Sequence, residues 1–363
     1  MRSAVLLVQL LVSADAALGY EGGGKKVRNL GGVLCEPSKG TQAFGYTTIS
    51  ENKKYFHALI NAEESSPNTP AFVYLPGGPG VSALGATLTL IGPCIVEADD
   101  LTLSLNKFAW TRKANGIFID GPGETGFSVG STETSMREYV DNLYRTLLEV
   151  ISTAPSLREN LHLVGASFDG TMLFWYRGGV EMARNRKLLP QKTYDVRVRP
   201  GLEWKNYKLI TGNAEIHMND KAVQAAMGVS KKWLSSNSQV FRDFHKFQAF
   251  DTTKVVSTLL DDALQVIVFN GDQDFVTNSI GALYWLGSLR GTVDYGAQLA
   301  VAKDKPLEFK KGGRLGTIRS VKYATGGSLA FINVTDGSHT AVLNKPLEMH
   351  QAIEAVLSEA IWA

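Results

Sequence analysis

The chain of 363 residues has little cysteine, almost no net charge and few long apolar runs. Its 37 basic and 35 acidic residues nearly balance, so charge gives no argument for a nucleic acid or an anionic membrane as partner. Beyond the first residues, no apolar run approaches the roughly 20 residues of a membrane span. There is no low-complexity tract or internal repeat, and 44% of the residues are hydrophobic. This composition favours one large folded core that recognises a small molecule or peptide in a defined site.

The first 19 residues have the pattern of a cleaved secretory signal. Arg2 precedes an apolar run over residues 4–12, and small residues follow at 14–16. We therefore expect a signal peptide over 1–19 and a single domain over 20–363. The protein would then enter the secretory pathway and reach the extracellular space or a vacuolar or lysosomal lumen.

Cys35 and Cys94 are the two cysteines of the chain. In an oxidising compartment a single pair is more often bonded than free. A bond would close a loop of about 60 residues and stabilise the fold by about 4 kcal/mol in the chain-entropy model. Two separately buried thiols are the alternative.

Short apolar runs alternate with segments of helical periodicity. GYTTIS and YFHALI predict paired strands, and further strands are predicted at AFVYLP, GIFID, LHLVG and LQVIVFNG. Helices are predicted at REYVDNLYRTLLEVIS, after Ser167, at NDKAVQAAMG and at PLEMHQAIEAVLSEAIW. Strands with interposed helices predict a doubly wound α/β sheet, whose sites lie at the carboxyl ends of strands.

Three strand ends carry residues suited to nucleophilic catalysis. Ser167 follows LHLVG in the context of a nucleophile elbow, although Asp169 stands where G-x-S-x-G requires glycine. Asp272 and Asp274 follow VIVFNG, and His339 lies in INVTDGSHT. The order Ser, Asp, His is that of the α/β-hydrolase triad. Asp272 is an alternative acid, and a buried serine without a catalytic role is the alternative for Ser167.

Five sequence blocks together resemble the serine carboxypeptidases. They are VYLPGGPGVSAL, WTRKANGIFIDGPGETGFSVG, VGASFDG, FNGDQDFVTNSIGALYWLGSL and LAFINVTDGSHTAVLNKP, and they occur in the order of that family. The chain is identified as a divergent member. The resemblance implies an α/β-hydrolase fold: a central, mostly parallel twisted sheet, helices on both faces, and a reduced lid inserted around residues 180–235.

The resemblance also implies a role for each site residue. Ser167 matches the nucleophile, Asp274 the acid and His339 the base, and the backbone N–H groups of Gly78 and Phe168 match the oxyanion hole. Peptide or ester bonds would be cleaved through an acyl-enzyme, without a metal or another cofactor. The oligomeric state is left open.

The substrate-binding positions depart from the family pattern. The family holds the terminal carboxylate of its substrate with one asparagine and two glutamates, and the matching residues here are Pro76, Ala166 and Leu90. The N–H group of Gly77 remains as a possible donor to a carboxylate. Efficient carboxypeptidase action is therefore in question, and an open site could accept esters or internal peptide bonds.

Two classes of function follow from this pattern. The first is a secreted serine carboxypeptidase-like hydrolase, and the second is a catalytically silent homologue that binds a partner. Asp169 bears on this choice because it would either cap the helix after the elbow or displace the elbow. Basic lid residues, Arg197, Arg199 and Lys205, form either a solvated face or a contact with an acidic substrate.

Overall fold

The computed structural model describes residues 28–30, 33–98, 101–167, 194–197, 205–247 and 251–362. The expected signal peptide, Phe168, Asp169, Arg199 and the side chain of Lys205 lie outside the described residues. Within these ranges no helix is long and apolar enough to cross a membrane.

The strands of the described ranges form three sheets. They are β1 (Arg28–Leu30), β2 (Gln42–Ser50), β3 (Lys53–Ile60), β4 (Ala71–Leu75), β5 (Cys94–Val96), β6 (Leu103–Leu105), β7 (Asn115–Ile119), β8 (Leu161–Gly165), β9 (Gln265–Gly271), β10 (Lys305–Phe309), β11 (Gly313–Lys322) and β12 (Ser328–Val334). A six-stranded sheet has the order β1-β2-β3-β7-β4-β8, a four-stranded sheet has the order β10-β11-β12-β9, and β5 pairs with β6. All six strands predicted from apolar runs are present, as β2, β3, β4, β7, β8 and β9.

The described ranges also contain α-helices. They are α1 (Ala86–Thr89), α2 (Met136–Thr153), α3 (Lys205–Met218), α4 (Lys221–Met227), α5 (Ser238–Phe244), α6 (Thr253–Asp261), α7 (Ser279–Leu286), α8 (Tyr295–Val301), α9 (Ala341–Asn344) and α10 (Pro346–Leu357). Single 3₁₀ turns lie at Trp110–Arg112, Pro155–Arg158, His245–Phe247 and Ala360–Trp362.

Parallel pairing brings the carboxyl ends of particular strands together. β4 pairs in parallel with β7 and β8, and β9 pairs in parallel with β12, whereas the outer strands pair antiparallel. Leu75 is opposite Gly165, and Gly271 is opposite Val334, so each pair of strands ends in register. The loops that follow β9 and β12, which carry Asp274 and His339, therefore begin side by side, as do the loops that follow β4 and β8.

The alternation of side chains along the central strands separates two buried layers. Val73 of β4 belongs to a buried cluster with Val150 of α2, while its neighbour Phe72 belongs to another with Ile353 of α10. Helix α2 begins at Ser135, whose hydroxyl accepts from the N–H of Glu138 at 3.1 Å. Helices thus cover opposite faces of the central sheet, as a doubly wound fold requires.

Cys35 and Cys94 form a disulfide in the structure, with a Cα–Cα distance of 5.4 Å. Both residues are fully buried. The bond joins the segment before β2 to β5, 59 residues further along the chain. It therefore fixes the region between β4 and β6 against the N-terminal hairpin β2-β3.

Two buried histidines make stability depend on pH. Burial lowers the pKa of His57, on β3, and that of His162, on β8, to about 4 in each case. An unfolded histidine has a pKa of about 6.5, so between these values the unfolded chain binds more protons than the folded one. Stability should therefore fall as the pH falls from about 6.5 toward about 4.

We predict that His57→Gln flattens this dependence, because glutamine does not ionise. The free energy of unfolding of the variant should change less over that window than that of the unmodified protein, by about 3 kcal/mol at most. Urea denaturation at a series of pH values and constant ionic strength measures the difference. An unchanged slope would mean that His57 is protonated without opening the fold.

Candidate active site

Ser167 lies two residues beyond Gly165, the last residue of β8. The N–H of Ala166 donates to the carbonyl oxygen of Leu75 at 2.8 Å, which continues the β4-β8 register up to the serine. Ser167 itself has φ of 54°, a left-handed conformation that non-glycine residues adopt at a cost. This sharp turn after a strand is the backbone geometry of a nucleophile elbow.

His339 joins Ser167 to Asp274. Its Nε2 lies 3.1 Å from Ser167 Oγ, and its Nδ1 lies 2.8 Å from Asp274 Oδ2. The imidazole is 12% exposed and the carboxylate 2% exposed. With the Nδ1–H donated to Asp274, Nε2 is an acceptor for the serine hydroxyl, which is the arrangement that base catalysis by histidine requires.

Asp274 is held by donors from its own loop. Its Oδ1 accepts from the N–H groups of Val276 at 2.8 Å and Thr277 at 3.2 Å. Its Oδ2 accepts from the Thr277 hydroxyl, and that hydroxyl lies 3.2 Å from His339 Nδ1. Asp272, the alternative acid, is exposed and accepts from the side chain of Gln273 at 3.0 Å. The geometry therefore favours Asp274 as the partner of His339.

A short described part of the predicted lid lies against the histidine. The carbonyl oxygen of Tyr194 accepts from the N–H of His339 at 2.8 Å, and the two rings meet edge to face at 4.7 Å. The N–H of Val196 donates to the carbonyl oxygen of Gln273 at 2.9 Å. Residues 194–197 thus contact both the loop of His339 and the loop of Asp274.

Arg197, for which the sequence left open a solvated face or a contact with an acidic substrate, is paired with carboxylates of the protein. It binds both oxygens of Asp195, at 2.9 and 2.7 Å, and lies 3.6 Å from Asp336. The hydrogen bond from Arg197 lowers the pKa of Asp195. These pairs leave Arg197 poorly suited to bind an acidic substrate.

The glycine-rich loop after β4 faces the serine. Gly77 and Gly78 have φ of 83° and 108°, and a side chain at Gly78 would place Cβ 2.9 Å from the nitrogen of Val81. Glycine is therefore required there. Gly78 lines the same cavity as Ser167, while Gly77 is buried and Phe168 lies outside the described residues.

A buried network of hydrogen bonds anchors this loop. Ser82 donates to Asp120 Oδ1 at 2.6 Å and accepts from Trp233 Nε1 at 3.1 Å. Asp120 is fully buried, which raises the pKa of its carboxyl, and Oδ2 accepts from the N–H of Phe127 at 3.0 Å. The network ties the loop after β4 to the end of β7.

The serine and histidine open into a cavity of about 680 Å³. Pro76, Leu90 and Ala166, at the positions of the family's carboxylate-binding residues, all line it and are partly buried. Their apolar side chains offer no hydrogen bond to a substrate carboxylate. The cavity therefore combines a complete Ser-His-Asp arrangement with an apolar surface where the resemblance places carboxylate recognition.

Sequence reasoning did not identify Thr277 or Tyr194. Thr277 lies three residues after Asp274, where an aspartate side chain commonly accepts from backbone N–H groups of the turn that follows. Tyr194 has no comparable local signal, because its contact with His339 joins positions 145 residues apart in the numbering (339 minus 194).

The topology and the serine turn define the chain as an α/β hydrolase, and comparison of the structure confirms that predicted fold. The crystal structure of Kex1, a prohormone-processing carboxypeptidase from Saccharomyces cerevisiae, superposes with a TM-score of 0.70. The superposition covers 88% of this chain and 92% of that one at 16% sequence identity.

Residues 33–173 and 192–359 match the family model for serine carboxypeptidases. The chain belongs to the serine carboxypeptidase family, as its sequence blocks predicted. This membership supports a hydrolase of the peptidase type.

Relatives of established name match a shorter stretch. The mouse lysosomal protective protein is 32% identical over 145 residues, which is 39% of this chain and 30% of that protein. A vacuolar serine-type carboxypeptidase of Saccharomyces cerevisiae is 30% identical over 128 residues, 35% of this chain and 25% of that protein. The matched stretches thus span about a third or less of these relatives.

Exchange of each aspartate to asparagine distinguishes the two acids. Asp274→Asn should lower turnover of a chromogenic acyl ester by about 10,000-fold, because an amide cannot hold the tautomer of His339 that accepts the serine proton. Asp272→Asn, a matched change two residues away at an exposed position, should leave turnover nearly unchanged. Steady-state kcat/KM measures both, and the reverse result would assign the acid to Asp272.

Proposed function

We propose that the protein is a serine carboxypeptidase-like hydrolase that cleaves peptide or ester bonds through Ser167, His339 and Asp274. The observation that carries the proposal is the unbroken hydrogen-bond chain from Asp274 through His339 to Ser167, at the edge of a cavity that can hold a substrate. Family membership supports the same reaction class.

The geometry supports a two-step acyl transfer. As Ser167 Oγ attacks the substrate carbonyl carbon, His339 Nε2 takes its proton, and Asp274 stabilises the imidazolium that forms. The N–H groups of Gly78 and Phe168 would hold the oxyanion. His339 then protonates the leaving amine or alcohol, leaving an acyl-serine. Water then attacks the acyl carbon while the same nitrogen takes one of its protons, and His339 returns that proton to Ser167 Oγ as the bond between Oγ and the acyl carbon breaks.

The apolar surface at Pro76, Leu90 and Ala166 limits how a free C-terminus is bound. A carboxylate placed there would lose its charge-assisted partners, at a cost of about 2 to 5 kcal/mol. This supports a substrate range that includes esters and blocked peptides as well as free-acid peptides.

A lumenal location fits the proposal. The relatives named above include a lysosomal protein and a vacuolar one, and residues 1–19 have the pattern of a secretory signal. The Cys35–Cys94 disulfide also fits such a location, because disulfides persist in oxidising compartments and are rare in reducing ones.

A catalytically silent binding protein is the second candidate. The replacement of all three carboxylate-binding positions by apolar residues favours it, as does Asp169 next to the expected oxyanion donor Phe168. In that case the cavity would bind a ligand without turnover.

Labelling with a fluorophosphonate separates the two candidates. We expect the purified protein to form a covalent adduct on Ser167, because His339 activates that hydroxyl. Ser167→Ala should form no adduct, and heat-denatured protein gives the background. If native protein and Ser167→Ala label equally, the hydrolase proposal is wrong and the binding function stands.

Restoring the family residues should restore free-acid selectivity. The triple variant Pro76→Asn, Leu90→Glu and Ala166→Glu should prefer a free-acid peptide over its amide more strongly than the unmodified protein does. The ratio of kcat/KM for the free acid to kcat/KM for the amide should rise by an amount that corresponds to about 2 to 5 kcal/mol of transition-state stabilisation.

Each single glutamate variant should gain less, because an unpaired carboxylate in this partly buried surface is costly. Thermal unfolding and fluorophosphonate labelling of every variant establish that the fold and the serine are intact. An unchanged selectivity ratio in a folded triple variant would mean that these positions do not contact the substrate carboxyl terminus.

A further inference from the structure

Within the described part of the cavity lining, one charged side chain stands outside the Ser-His-Asp arrangement. Among the described residues that line it, Asp274, His339 and Arg242 are the acidic and basic ones, and Tyr74 and Tyr194 add phenol groups. Asp274 and His339 bind each other. Arg242 is therefore the remaining charge that the described part of the cavity offers to a substrate.

The packing of α5 against the glycine-rich loop positions Arg242. The N–H of Asn237, just before the helix, donates to the carbonyl oxygen of Gly80 at 2.8 Å. The backbone of Gly80 approaches the helix so closely that an added Cβ would lie 2.9 Å from Cβ of Val240. Val240 is fully buried, whereas Arg242, two residues further, is exposed. The arginine thus stands on a helix fixed to the loop that carries Gly78.

The guanidinium of Arg242 has five N–H groups, and the described hydrogen bonds engage Nη2. Its Nη2 donates to Gln239 Oε1 at 2.6 Å, and no carboxylate of the described residues lies within 4 Å of it. Gln239 Nε2 donates in turn to the neighbouring Asp243 at 2.8 Å, so the amide oxygen is directed to the arginine. Two other arginines have acidic partners: the exposed Arg290 binds Asp294 at 2.9 Å, and the partly buried Arg319 binds Asp304 at 2.8 Å. Arg242 differs from these two because no acidic side chain among the described residues binds it.

We propose that Arg242 binds a carboxylate of the substrate, and that the site is selective for peptides or esters that carry one. Arginine presents its N–H groups in a planar fork that matches a carboxylate, and Gln239 occupies only part of that fork. The carboxylate is either the C-terminus or an aspartate or glutamate side chain of the substrate. This inference rests on the proposed function, because it takes the cavity to be the place where the substrate binds.

Equilibrium binding to the Ser167→Ala protein tests the inference without turnover. Three probes are compared by calorimetry: an N-acetylated alanine tripeptide with a free carboxyl terminus, its C-terminal amide, and an amide in which one alanine is replaced by glutamate. At least one carboxylate probe should bind more tightly than the neutral amide.

Arg242→Gln, added to Ser167→Ala, should weaken that probe by about 10- to 100-fold, as expected for a charge-assisted hydrogen bond. Binding of the neutral amide should not change. Arg242→Lys, which keeps the charge but not the fork, should retain part of the affinity. Arg137→Gln, at an arginine whose side chain is 91% exposed on α2, is the matched control and should have no effect.

The pattern of losses identifies the group that Arg242 binds. A loss for the free-acid tripeptide alone assigns it to the C-terminus, and a loss for the glutamate probe alone assigns it to an acidic side chain. The proposal is overturned if neither carboxylate probe binds better than the amide, or if Arg242→Gln has no more effect than Arg137→Gln. Every binding measurement is made on Ser167→Ala protein, so its result does not depend on catalysis. Failure of the hydrolase proposal would appear separately, in the fluorophosphonate experiment.

Discussion

The hydrogen bond between His339 and Ser167 is the contact on which the proposed chemistry depends, and it joins two sheets. Ser167 follows β8 of the six-stranded sheet, whereas His339 and Asp274 follow β12 and β9 of the four-stranded one. Base and acid share a parallel register, but the 3.1 Å from Nε2 to the serine Oγ depends on packing between the sheets. Leu163 of β8 packs against buried clusters on both sides and contributes to that spacing.

The strands and the three candidate catalytic residues could be predicted because their signals are local. A central strand needs a short apolar run, and a serine, aspartate or histidine just after such a run is visible in the sequence. Hairpin β10-β11 was not predicted, since many of its residues are exposed and its pairing depends on backbone hydrogen bonds. Thr277 and Arg242 escaped notice for a related reason: their importance comes from what lies opposite them after folding.

The three apolar positions of the cavity are physically consistent with one another. A glutamate at Leu90 or Ala166 alone would place a carboxylate in a partly buried surface without its partner, and burial of an unpaired charge is costly. Replacement of all three polar residues by apolar ones removes the cost of burying the carboxylates, and it also removes the groups that would recognise a substrate carboxylate. What remains at these three positions is an uncharged surface, and Arg242 is the one cation besides His339 among the described residues that line the same cavity.

The contact of Tyr194 with His339 makes the base mechanically dependent on a segment far from it in sequence. One backbone carbonyl and one ring edge of Tyr194 meet the histidine, and Val196 is bonded to the loop that carries the acid. Displacement of residues 194–197 would remove these contacts together and leave every member of the Ser-His-Asp arrangement chemically unaltered. The orientation of His339 is therefore coupled to a segment that contributes no group to the Ser-His-Asp arrangement itself.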